Sequence, residues 1–72
     1  MSKLPVLKPK ELIRILKKIG FVEIRTKGSH IQFKKANLNV TVPFHNKDIK
    51  SETLRSILRQ AKLNIEELKE LI

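Results

Sequence analysis

FVEIRTKGSHIQFKKANLNVTVPF, residues 21–44, decides the fold. Within it apolar and polar residues alternate in three runs, FVEIRT, HIQFKK and NVTVPF, and most apolar positions are β-branched or aromatic. A period of two is the spacing of a strand with one face buried, so the segment predicts three strands joined by short turns. With Lys27-Gly28 as a two-residue turn, Thr26 faces Ser29, Arg25 faces His30, Ile24 faces Ile31 and Val22 faces Phe33, which gathers the aliphatic pairs on one face. Sliding by one residue pairs Ile24 with Phe33, Arg25 with Gln32 and Thr26 with Ile31, mixing polar with apolar partners, and a longer loop through Ser29 is a further alternative. Pro43 donates no ladder hydrogen bond and suits an edge or an exit for the third strand.

On either side of these strands the period changes to that of a helix. After Pro9, a favourable first-turn residue, Leu12, Ile13, Ile15, Leu16 and Ile19 recur at helical spacing, and Gly20 is placed to close the helix in a left-handed cap. Lys10, Arg14, Lys17 and Lys18 form its opposite, basic face. Downstream of the polar loop HNKDIK, Leu54, Ile57, Leu58 and Ala61 make a second buried line, with Ser51 the expected N-cap and Arg55, Arg59 and Lys62 a second basic stripe. Asn64 followed by Glu67 has the spacing of a capping box and opens a short last helix carrying Ile65, Leu68, Leu71 and Ile72. The expected architecture is α+β: a two-layer sandwich in αβββα order, with a three-stranded antiparallel sheet, two helices on its apolar face and a short C-terminal helix. With 72 residues and neither repeat nor linker, one domain over residues 1–72 is expected.

Sixteen Lys+Arg against seven Asp+Glu give a net charge of +9, the charge balance of a protein that meets phosphates, anionic lipid or an acidic protein. A merely lysine-rich soluble protein is the plain alternative, and the placement of the charges has to decide. The chain has no cysteine, so disulfides and thiolate metal sites are excluded. No apolar run approaches the roughly 18 residues of a membrane span, and MSKLPVLKPKELIRIL carries no long apolar leader segment; a cytoplasmic protein without membrane association is expected.

The strand alternation places His30, Gln32 and Lys34 on the face turned from the helices, with Glu23 and Arg25 beside them. An imidazole takes or gives a proton near neutral pH, and neighbouring cations hold a phosphate and stabilise charge developing on it. RNA suits this equipment, because its own 2′-hydroxyl is the nucleophile and neither metal nor cofactor is required. His30 is therefore the candidate catalytic residue, and an ordinary exposed strand histidine is its bland reading. Ser29 points to the other face and is better read as a turn residue, or as a hydroxyl and amide offered to phosphate. Gly28 tolerates positive φ and gives phosphate close access to bare backbone. His45 is a candidate second acid/base group, though a solvated or loop-capping histidine is its simpler reading. Arg25, Lys27, Lys34, Lys35, Lys47, Lys50 and the helix residues Lys10, Arg14, Arg55 and Arg59 are candidate RNA-binding residues. Phe21, Phe33 and Phe44 are assigned to the core or its rim, leaving no stacking platform.

Three segments in order, KGSHIQF at 27–33, VTVPFH at 40–45 and LRSILRQAKL at 54–63, resemble the HicA (YcfA-like) mRNA interferase toxins of prokaryotic toxin–antitoxin modules. The likeness runs from about Leu7 to Leu63. It implies a double-stranded-RNA-binding-domain-like fold, endoribonuclease activity on mRNA, and a HicB-type antitoxin that binds and blocks the toxin, which would be a monomer when free and part of a hetero-oligomer with its antitoxin. The family's essential histidine falls on His30 and its motif glycine on Gly28. Lys62 stands where the family pattern has glycine, and Ser51-Glu52 precede Thr53 where it often has another. A non-catalytic RNA-binding module and a protein-interaction module are the competing function classes.

Overall fold

The computed structural model describes residues 3–72. Its elements are α1 (Pro9–Lys18), β1 (Val22–Lys27), β2 (His30–Lys35), β3 (Leu38–Pro43), α2 (Ser51–Ala61) and α3 (Ile65–Leu71), the αβββα order expected, followed by the short helix. The sheet is antiparallel in the order β1-β2-β3, so the histidine-bearing strand is central. Phe33, Val40 and Val42 carry the sheet's inner face into a core completed by Leu12, Ile15 and Leu16 of α1, Leu54, Ile57, Leu58 and Ala61 of α2, and Leu68 of α3. Among the described residues no polar or charged side chain is buried, so the core is wholly apolar.

Local chemistry sets the helix ends. Pro9 occupies the first turn of α1, where its missing N–H costs nothing, and the Glu11 carboxylate accepts the Lys8 N–H at 3.0 Å. The helix closes as a Schellman motif: Phe21 N–H donates to Leu16 C=O and Gly20 N–H to Lys17 C=O, with Gly20 at φ +106. The end of α2 repeats the pattern, Leu63 N–H donating to Leu58 C=O and Lys62 N–H to Arg59 C=O, with Lys62 at φ 56 and ψ 42. At α3 the capping box forms as the spacing predicts: Asn64 Oδ1 accepts from Glu67 N–H at 2.8 Å and Glu67 Oε1 from Asn64 N–H at 3.0 Å. The expected Ser51 cap does not form. Lys50 is the N-cap of α2, without a side-chain hydrogen bond, and Ser51 is the first helical residue.

The β1–β2 hairpin differs from the favoured register. Lys27 pairs with His30, Thr26 with Ile31 and Arg25 with Gln32, so Gly28-Ser29 forms the two-residue loop. Gly28, at φ +59, fills the first central position, where a II′ hairpin turn needs positive φ; Lys27 in that place would carry the strain. Between Arg25 and Glu23 the register shifts, Ile24 being the extra residue of a bulge, after which Glu23 lies opposite Phe33 and Val22 opposite Lys34. The bulge moves Glu23 off the His30 face and exchanges it for Val22. As a result β1 buries nothing: Val22 is 61% and Ile24 52% exposed. The helices pack against β3 at the other side of the sheet, and Gln60 of α2 accepts the Thr41 N–H at 3.3 Å.

Candidate functional site

Opposed residues of an antiparallel ladder share a face, so the register fixes what surrounds His30. Lys27 lies directly across from it on β1 and Pro43 on β3; Arg25 and Thr41 flank Gln32, and Val22 and Asn39 flank Lys34. These nine positions form the outer face of the sheet. They include three cations, Arg25, Lys27 and Lys34, and no carboxylate, because the bulge has turned Glu23 to the other side. There Glu23 accepts a hydrogen bond from the Thr26 hydroxyl at 3.1 Å. His30, Lys27, Arg25 and Lys34 are all exposed, so phosphate can reach each of them.

The hairpin turn closes one end of this face. Nothing lies within 4 Å of where a Cβ on Gly28 would sit, so the backbone at the turn is open to a ligand. The Ser29 carbonyl accepts a hydrogen bond from Phe44 N–H, which ties the loop after β3 to the start of β2. That loop carries His45. Its Nδ1 accepts the Lys47 N–H at 3.2 Å, the loop-capping arrangement, so the neutral ring holds its proton on Nε2 and presents a donor. Pro43, His45, Lys47, Asp48, Lys50 and Thr53 line one cleft here, and Lys8, Lys10, Phe44, His45 and Asn46 line another.

The sequence-predicted site residues thus divide into groups. His30, Arg25, Lys27, Gly28, Ser29 and Lys34 gather on or beside the outer face, and Lys10 and Lys50 stand by the His45 loop at its end. Arg14 lines a separate cleft with Lys18, Leu71 and Ile72, and Arg55 and Arg59 line a groove beside Leu63, Asn64 and Ile65. These three arginines belong to the helix layer, on the side of the sheet opposite His30. Lys35 also leaves the outer face: its stem approaches Gly20 and its Nζ stands 6.0 Å from the Phe21 ring centroid. Sequence reasoning placed Glu23 beside His30 and gave Arg25 the position that Lys27 holds. A Gly-Ser pair is itself a hairpin signal, and weighting it above the matching of aliphatic partners would have found the turn.

A family model for HicA toxins of bacterial toxin–antitoxin systems matches residues 9–63, from the first residue of α1 to the close of α2. The chain belongs to the HicA toxin family. It is accordingly a toxin-type component of a toxin–antitoxin system, which implies an antitoxin partner. No curated protein matches the chain closely enough to count as a relative. The HicA match spans the hairpin with His30, the Pro43–His45 segment and both basic helices, and ends just past Lys62. No helix among the described residues is long and apolar enough to cross a membrane.

Proposed function

We propose that this HicA-family chain is an endoribonuclease acting on mRNA, with His30 as its general acid or base. The observation that carries the reading is the outer face of the sheet: one exposed imidazole, three cations in the surrounding ladder positions and no carboxylate among them. An acid-free cationic surface attracts a polyanion and holds the phosphate where the imidazole stands. In the reaction the RNA 2′-oxygen attacks the adjacent phosphorus, its proton passes to a base, the P–O5′ bond breaks, and the 5′-oxygen is protonated as it leaves. His30 serves one of these two proton transfers. The dianionic charge that grows on the phosphoryl oxygens is met by Lys27 and Arg25. The second transfer falls to water or to His45, whose Nε2–H is a donor on the loop that follows Pro43.

No metal or organic cofactor enters this scheme, since the nucleophile belongs to the substrate. An antitoxin of the HicB type, acidic where it meets the toxin, would inhibit by covering the same face. The test is cleavage of mRNA by purified wild type and His30→Ala, with folding checked by circular dichroism. General acid–base catalysis contributes about 10²–10⁴-fold, so His30→Ala should lose cleavage by that factor and keep most of its RNA affinity. Undiminished cleavage by folded His30→Ala would remove His30 from the chemistry. RNA binding without cleavage by wild type would make the chain a binding module.

A further inference from the structure

Three phenylalanines are the chain's only aromatic residues, and they do not share one fate. Phe21 and Phe33 are 2% and 0% exposed, whereas Phe44 is 46% exposed. Its position is nevertheless fixed. Pro43 restricts the backbone before it, its own N–H is bonded to the Ser29 carbonyl, and the next residue, His45, holds the following turn through Lys47 N–H. The ring is therefore half-buried at a fixed place, with its exposed part open to a ligand.

The ring borders a cleft of about 340 Å³ that it shares with Lys8, Lys10, His45 and Asn46, none of them acidic. That volume is at the lower end of small-ligand sites. The lining combines what a nucleotide requires: an aromatic surface for the base, an amide for its edge, and cations for the phosphate. Position adds a second constraint, because Phe44 is bonded to the residue preceding His30 and follows the residue paired with it. By the alternation that puts Pro43 on the outer face, Phe44 falls one residue beyond it on the helix side, where Lys8 and Lys10 line the same cleft, so a strand whose phosphate lies at His30 brings its neighbouring base there by passing over the end of the sheet.

We infer that Phe44 is a base-stacking platform, and that the cleft it forms with Lys8, Lys10, His45 and Asn46 takes the nucleotide adjoining the phosphate at His30. This rests on the ribonuclease reading and adds a subsite to it: RNA is gripped by its bases as well as its backbone. Stacking is tolerant of base identity, so the cleft strengthens binding to unpaired RNA without imposing a sequence. It also selects single-stranded over paired substrate, since a base in a duplex is not free to enter.

The chain has neither tryptophan nor tyrosine, so Phe44→Trp gives a single, local fluorophore. Its emission is followed while a short single-stranded oligoribonucleotide, 2′-O-methylated to prevent cleavage, is added, with inorganic polyphosphate as the base-free control. Quenching by the oligonucleotide and not by polyphosphate is the expected result. In parallel, Phe44→Leu should weaken oligonucleotide binding about five- to a hundred-fold, with an unchanged thermal transition. If wild type binds the oligonucleotide but the tryptophan is not quenched, or Phe44→Leu binds as tightly, the stacking site is refuted and the ribonuclease reading stands. If wild type does not bind the oligonucleotide even at low salt, both fall together.

Discussion

Lys27 stands directly across the β1–β2 ladder from His30, while Arg25 is one pair further along, opposite Gln32. Cross-strand partners hold their Cβ atoms about 4.5–5.5 Å apart, so a phosphate touching the imidazole is within reach of the Lys27 ammonium. Lys27→Ala should therefore reduce cleavage more than Arg25→Ala does. A hydrogen bond to a charged group contributes about 1.5–3 kcal/mol, which places the Lys27 effect at roughly ten- to a hundred-fold in single-turnover rate at saturating RNA. The reverse ranking would mean that Arg25 is the residue at the reacting phosphate.

That ranking depends on a feature that the sequence only half disclosed. The alternation in 21–44 correctly placed His30, Gln32 and Lys34 on one face and Phe33 on the other, because the period of a strand leaves no choice once the core side is known. The partner strand was harder to read. Moving the turn by one residue shifts every cross-strand partner by two and so keeps the same residues on the same face; face alternation cannot separate the two turns, the matching of aliphatic partners favours the other one, and the φ requirement at Gly28 decides. The bulge at Ile24 is less legible still. It leaves an apolar residue 52% exposed, against the pattern that would have buried it, and it clears Glu23 from beside His30. The Gly20 closure and the Asn64 capping box were legible because each follows from bonds between residues a few positions apart, whereas the start of α2 was not: Lys50, with no side-chain cap bond, takes the place expected of Ser51.

The exposure of β1 has a consequence for stability. Phe33 is 0% exposed at the centre of the sheet, and its replacement by alanine should cost about 3–5 kcal/mol, enough to unfold much of a protein this small. Ile24→Ala, in an equally aliphatic-looking stretch, should cost below about 0.5 kcal/mol. Urea denaturation of the two variants measures the difference. A large loss in Ile24→Ala would show that β1 packs against something in solution.

The arginines of α2 lie in the layer away from His30, and their part in binding should be separable from chemistry. Arg55→Glu with Arg59→Glu should leave single-turnover cleavage at saturating RNA unchanged. Affinity should fall, and the slope of log K against log salt should flatten by roughly 0.7 for each single-strand phosphate that the variant no longer neutralises. A drop in the saturated rate would show that the helix layer helps to position the scissile phosphate.

Lys62 offers the most direct check of backbone geometry. It closes α2 in the left-handed region, φ 56 and ψ 42, through the same pair of bonds with which Gly20 closes α1, and it occupies the position where the HicA pattern has glycine. A side chain in that conformation costs about 1–2 kcal/mol, and a glycine gives back about 0.5–1 kcal/mol through its greater freedom in the unfolded chain. Lys62→Gly should thus stabilise the protein by about 0.5–1 kcal/mol, which for a domain of this size raises Tm by roughly 2–8 °C. Lys62→Ala separates the backbone from the charge: it removes the ammonium but keeps a Cβ at positive φ, so its Tm should stay close to that of wild type. Equal gains from both substitutions would assign the effect to relief of charge repulsion among Lys62, Arg59 and Arg55 and leave the left-handed residue without a measurable cost.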